Sequence, residues 1–277
     1  MSKLGEKPVK AHQRLIRESL AKSDGDLFGR WWVELDNSLA KAEIREIDYP
    51  TAKKFILEYE WLGNMGTTEY AVGLYCSNVL AGVVCFGRTG GTNVNKSISA
   101  AWATSCISLV RGACAHWAHP HAASFLISRA CNLMGRYGYH IFVAYADPMA
   151  GEIGTVYQAC NWIYTGQTSP SDQMMTPKGV IKDTRLISAY TRDRRNGRLC
   201  YKRSWSEQKD MLIKDGYTFF KGNPKHRYIG VYAPPNVKRE IMRSLNVTKF
   251  PYPKRPATLA RFLCEKTVKA ATSGSEG

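Results

Sequence analysis

Apolar positions in this chain follow two periods. Two nearly continuous β-rich runs, EYAVGLYC (69–76) and VLAGVVCFG (79–87), flank Ser77-Asn78 and predict two strands joined by a two-residue hairpin. A third run, ATSCISLVRGACA (103–115), predicts a strand with Arg111 near its end. Around it the period becomes helical. Ala52, Phe55, Ile56 and Tyr59 recur behind Asp48-Tyr49-Pro50, with Thr51 near the cap. Leu126, Ala130, Leu133, Met134 and Tyr137 mark a second helix, from about residue 122 to 137, with Ser124 in its first turn. The apolar run around Ile141 and Val143 predicts a strand that ends at Asp147-Pro148, where proline cannot continue the ladder. Gly151 and Gly154 permit a tight turn, a short helix starts near Thr155, and Trp162-Ile163-Tyr164 restart a strand. Asp147 thus sits at the carboxyl end of a strand and Tyr157 on the helix that follows, where open α/β sheets tend to bind ligands.

The remaining elements are shorter. GRWWVEL (29–35) reads as a first strand, with Trp31 and Trp32 in packing roles. GRTGGTNVN (87–95) reads as a flexible loop, since it lacks the lysine and following helix of a phosphate-binding loop. GVIKDTRLISAY (179–190) is a strand region. SWSEQKDMLIKDG (204–216) is a helix capped by Ser204 or Ser206 and stopped by Gly216. HRYIGVYA (226–233) is a short strand ended by Pro234-Pro235. The expected layout is a basic arm over 1–30, one mixed α/β domain over 31–233, and a basic, proline-rich tail over 234–277.

Composition narrows the function classes. At 277 residues and 44% hydrophobic, the chain can bury a substantial core. Its longest apolar runs reach about ten residues, against the roughly 20 of a membrane span. The N-terminus shows charge without an apolar signal region. The eight cysteines form no CxxC pair and lie mostly in apolar runs, which suits reduced thiols in a cytoplasmic protein. The net charge of +16 points to a polyanionic partner, most simply nucleic acid. Arg192, Arg194, Arg195, Arg198, Lys202 and Arg203 surround an Asn-Gly turn and read as a hairpin tip for duplex phosphates. KGNPKHR (221–227) and VTKFPYPKRP (247–256) add basic residues mixed with aromatics.

Each residue with candidate chemistry also has a structural reading. Arg111 suits a bidentate phosphate or carboxylate clamp, or a structural ion pair. Ser124 is a ligand donor or a helix-start residue. Asp147 is a general base, a metal ligand or a turn former. Tyr157 is a general acid, a substrate contact or a core tyrosine. His116, His119 and His121 form HxxHxH, a candidate iron or zinc set without an established motif spacing. Trp61, Tyr70, Tyr145, Trp162 and Tyr164 are candidates for stacking on a base, with core packing as the default for strand aromatics.

The element order and the segment TVYQACNWIYTG resemble the N-acetyltransferase (GNAT) superfamily, with Tyr157 at the position of its tyrosine. That superfamily's glycine-rich pyrophosphate turn is replaced here by RGACAHWAHPHAAS. A closer resemblance, carried by SLVRGACAHWAHPHAASFLISRA and FVAYADPMAGEIGTVYQACNWIYTGQT, is to the Mom family of phage DNA-modification proteins. It covers roughly residues 50–190, the scale of one ordinary domain. The resemblance implies a GNAT-like, mostly antiparallel sheet flanked by helices. It also implies a transferase that adds a carbamoylmethyl (acetamido) group to the exocyclic amine of adenine in DNA, protecting phage DNA from restriction in the host cytoplasm. The family's functional residues fall on Arg111, Ser124, Asp147 and Tyr157. Where the family often has a histidine-tyrosine pair, this chain has Glu60-Trp61; these two, with Tyr145 and Trp162, are the expected substrate contacts. Acetyl-CoA or a related acyl donor and iron are the candidate cofactors. The expected partner is double-stranded DNA with a flipped adenine; a homodimer is open, and no membrane is expected. The alternatives are an acetyltransferase acting on protein or RNA, and a non-catalytic DNA-binding protein on a degenerate transferase fold.

Overall fold

The computed structural model describes residues 11–28, 31–90, 92–179, 181–183, 187 and 204–254. Within those bounds the chain forms two compact units, residues 11–167 with 226–254, and residues 168–225. The single domain expected over 31–233 is therefore divided.

In chain order the elements are α1 (His12–Phe28), β1 (Glu43–Glu46), α2 (Tyr49–Tyr59), β2 (Thr68–Cys76), β3 (Val79–Gly87), α3 (Thr92–Ile98), β4 (Cys106–Cys114), α4 (Ala122–Met134), β5 (Ile141–Ala146), α5 (Thr155–Ala159) and β6 (Ile163–Gln167). They continue with β7 (Asp172–Met175), β8 (Ile181–Asp183), α6 (Trp205–Lys214), β9 (Thr218–Lys221), β10 (His226–Val231) and α7 (Pro235–Ser244).

The larger unit is built on a seven-stranded sheet of order β1-β2-β3-β4-β5-β10-β6. Its pairings are antiparallel except for β4 with β5. This is the expected mixed, mostly antiparallel sheet flanked by helices. The β2–β3 hairpin turns on Ser77 and Asn78, both left-handed at φ 48° and 64°, the backbone a two-residue turn needs. Helix α2 is capped by Asp48, whose carboxylate accepts from the Thr51 amide at 2.8 Å.

Strand β5 shows why its run is continuously apolar. Phe142, Ala144 and Ala146 enter one core with residues of α2 and α4, while Ile141 and Val143 enter a second with Ile98, Ile229 and Ile241. Successive side chains point to opposite faces, and both faces are covered.

Several elements differ from expectation. Residues 31–34 form a 3-10 turn rather than a strand, with Trp32 packed edge-on against His116 at 4.7 Å. The glycine-rich loop leads into α3. Residues 12–28, expected as an arm, form a helix held by Arg17, which donates to the carbonyls of Ala115 and His116 at 3.3 Å each. Residues 235–254, expected as tail, are built into the unit. Ile241 of α7 is fully buried, the Phe250 amide donates to the Tyr164 carbonyl at 2.9 Å, and the Tyr252 hydroxyl donates to the Trp162 carbonyl at 2.8 Å.

The smaller unit is a three-stranded antiparallel sheet, β8-β7-β9, with α6. Met174, Ile187 and Leu212 form its own apolar cluster, with Tyr217 and Phe219 against it. That separate core explains its independence from the large sheet. Ser204 caps α6 in a full capping box with Glu207. The basic hairpin expected at Arg192, Arg194, Arg195, Arg198, Lys202 and Arg203 lies outside the described residues. Among the described residues, no helix is long and apolar enough to cross a membrane.

Candidate active site

The site is set by where the central sheet stops being a sheet. Strands β4 and β5 pair in parallel only over Cys106–Ser108 and Ile141–Val143. Beyond that they pair with each other no further, while β4 continues on β3 and β5 continues on β10. Arg111 and Tyr145 lie on these diverging ends.

A bulge aims Arg111. Leu109 stands opposite Phe86 and Arg111 opposite Cys85, so Val110 is an extra residue in β4. The guanidinium reaches the loop after α2. Its Nε donates to the Asn64 carbonyl at 2.7 Å, and its other nitrogens donate to Asn64 Oδ1 and to the Val110 carbonyl. This fork fixes the loop that begins with Glu60 and Trp61. Lysine offers a point charge in place of a planar fork. We expect Arg111→Lys to cost about 1–2 kcal/mol of stability, checked by chemical denaturation, with activity falling even though the charge is retained.

Glu60 is buried, 7% exposed, at the end of α2, and its carboxylate accepts from the Leu62 amide at 2.9 Å. Burial pushes its pKa above the usual carboxylate range, and Arg111 partly offsets this. The second carboxylate is Glu152, half-buried and not among the expected site residues. Burial, reinforced by the negative charges of Glu60 and Asp147, raises Glu152 to about 7, while a hydrogen bond from the Trp61 side chain pulls the other way. The signal in the sequence was that Asp147 and Glu152 are the only acids between Tyr139 and Gln167.

Asp147 builds the turn that presents Glu152. Its carboxylate accepts from the Met149 amide at 2.9 Å, and its carbonyl accepts from the amides of Ala150 at 3.0 Å and Glu152 at 3.1 Å. Tyr157 follows on α5. Its ring lies 5.2 Å from that of Trp162 and 5.4 Å from that of Tyr228. Burial, with the charges of Glu152, Cys160, Cys131 and Glu60 in that order, pushes its hydroxyl far above the usual phenol range. Such a hydroxyl keeps its proton.

The other expected residues divide. Trp61 joins the cluster and stacks edge-on against His12 at 5.3 Å. Tyr145 is 36% exposed beside the divergence. Trp162 is 1% exposed and its indole donates to the Tyr232 hydroxyl at 3.0 Å, so it packs the core and does not meet a substrate. Ser124 donates to the His121 carbonyl at 3.1 Å, one turn back on its own helix. The three histidines do not form a metal set. His116 is buried between Trp32 and Tyr59 with Nε2 3.4 Å from Asp24, whereas His119 accepts from the His121 amide at 3.1 Å.

Neither candidate cofactor is matched by a ready-made site. Among the described residues no three His, Cys, Asp or Glu side chains converge on a metal position, and the Glu60 and Glu152 carboxylates already accept hydrogen bonds. A pyrophosphate would need the first amides of α4, but His119 takes two of them. Its ring accepts from the His121 amide and its carbonyl accepts from the Ala122 amide at 2.8 Å.

The family model described as the Mom protein family matches residues 41–254. Solved structures similar to the chain include an IAA acetyltransferase from Bacillus cereus, at 12% identity over 69% of this chain and 99% of that one, with a TM-score of 0.36. An N-acetyltransferase from Staphylococcus aureus is 13% identical over 69% and 98%, with a TM-score of 0.37. An N-acyl amino acid synthase from uncultured soil microbes is 13% identical over 74% and 94%, with a TM-score of 0.38. No curated protein matches.

Proposed function

The chain belongs to the Mom protein family and is on that basis a transferase, and we propose that it adds a carbamoylmethyl group to the exocyclic amine of adenine in DNA. The observation that carries this reading is that buried Glu60 lies within electrostatic reach of Arg111, Glu152 and Tyr157, with the Trp61 side chain hydrogen-bonded to Glu152. An exocyclic amine is a weak nucleophile until it loses a proton. Glu152, raised to about 7, is a carboxylate matched to withdrawing that proton near neutrality. Asp147, expected as a general base, a metal ligand or a turn former, has contacts that suit a positioning residue, and Glu152 suits the base.

As the nitrogen's lone pair forms a bond to the donor's transferable carbon, the bond from that carbon to its leaving group breaks. The amine proton passes to Glu152. Tyr157 donates a hydrogen bond and keeps its proton, and Arg111 holds the loop that carries Glu60 and Trp61. A base inside a duplex cannot reach a recessed carboxylate, so the adenine is flipped out, with Tyr145 and Trp61 as the accessible rings beside it. The net charge of +16 supports a DNA substrate.

The test is nucleoside mass spectrometry of DNA from cells expressing the full chain. The expected result is an adenine nucleoside heavier by one carbamoylmethyl group. Unmodified DNA together with newly acetylated protein or transfer RNA would replace this reading with an ordinary acetyltransferase.

A further inference from the structure

The segment after α7 is a strap rather than a tail. Residues 245–254 run along β6, held by the Phe250 and Tyr252 hydrogen bonds described above. Pro253 accepts from Gln158 of α5 at 3.5 Å, so the strap passes beside the helix that carries Tyr157. Its sequence, KFPYPK, alternates aromatic residues with prolines. Phe250 lies over Gly166, where an added Cβ would meet its ring at 3.2 Å, and Tyr252 lies 6.4 Å from the Tyr228 ring. Each ring is thus seated on protein, yet Phe250 remains 46% and Tyr252 40% exposed. Lys249 and Lys254 flank them in the open. From Lys238 to Lys254 five basic residues stand against one acid, Glu240.

We propose that this strap is the platform for the unpaired DNA strand beside the reacting nucleotide, with Phe250 and Tyr252 stacking on bases and Lys249 and Lys254 meeting phosphates. Rings held from behind and open in front, between lysines, are what sequence-tolerant single-strand binding uses. Prolines at 251 and 253 reduce the freedom lost on binding. From the proposed function the inference takes only that DNA is the substrate.

The test is fluorescence anisotropy of a labelled single-stranded DNA oligonucleotide with the full chain at fixed salt, without donor or turnover. Its outcome is therefore independent of whether adenine is modified. Phe250→Leu keeps an apolar side chain on Gly166 but removes the aromatic face; it is expected to weaken binding about tenfold with an unchanged melting temperature. Phe250→Trp is expected to bind at least as tightly as the parent. Lys249→Gln with Lys254→Gln is expected to reduce the slope of log affinity against log salt by about 1.4. Equal binding by Phe250→Leu and the parent would overturn the proposal. So would equal competition by fully paired duplex and by single strand.

Discussion

Glu152→Gln lowers the rate of adenine modification by about 10²–10⁴, the contribution expected of a positioned general base. Glutamine keeps the shape and can still accept from Trp61, so the loss reports the proton acceptor itself. The pH dependence provides a second readout. In the parent, kcat/KM rises with pH through an apparent value near 7, because only the ionised form of Glu152 accepts the proton. That value belongs to Glu152 coupled with Glu60, and Glu152→Gln removes the limb. Tyr157→Phe lowers the rate but leaves the limb in place, since the Tyr157 hydroxyl stays protonated throughout.

The same carboxylate burdens the fold, with a defined sign. Its pKa is raised from the usual 4.5 to about 7 in the folded state, so the native protein binds more protons than the unfolded chain between those values. Stability from this group is present below about pH 4.5 and is lost as pH rises toward 7, by about 2–3 kcal/mol. Glu152→Gln is therefore expected to be more stable than the parent at pH 8 and to lose that advantage near pH 4, measured by denaturant unfolding at both. An active-site residue whose neutral replacement stabilises the fold is a common mark of function placed at a cost to stability.

The second large effect is on the fold. Gly154→Ala is expected to destabilise the protein by about 2–6 kcal/mol, combining about 1–3 for backbone strain and about 1–3 for overpacking. Gly154 is the residue before α5 and has φ of +72°, where L side chains are strained. A Cβ there would meet the Tyr228 ring at 2.4 Å. Tyr228 is fully buried and its hydroxyl is bound to the Ile153 carbonyl and to Gln158, so it cannot retreat. The loss should appear as a lower denaturation midpoint with little change in slope. Alanine at position 63, also at positive φ but with open space where a Cβ would go, should cost the strain alone.

Local patterns carried most of the larger unit. The β2–β3 hairpin, α2, α4 and the strand–turn–helix–strand from Ile141 to Gln167 were legible because each declares itself within a dozen residues. What was hidden is non-local. Nothing in HRYIGV says that β10 inserts between β5 and β6, since the chain first leaves for a separate unit at 168–225. Strands β1, β7 and β9 were missed because each has only four residues, too few for a period to emerge. The prolines after Ala233 suggested a tail; one of them instead begins α7, where a missing amide is harmless. The placement of Arg111 and Asp147 at strand ends and of Tyr157 on the following helix was legible in the sequence. Trp162 was misassigned because a strand aromatic reads alike whether it faces a substrate or a core. Glu152 was passed over because it sits in an irregular turn, and only folding brings it beside Glu60, ninety-two positions away.

The central claim is that this site modifies adenine through Glu152. It is tested by quantifying carbamoylmethylated adenine nucleoside in DNA from cells expressing equal amounts of the parent or Glu152→Gln. The account predicts abundant adduct from the parent and at most about one-hundredth as much from the variant. Equal adduct from both, or none from a folded parent, would contradict it.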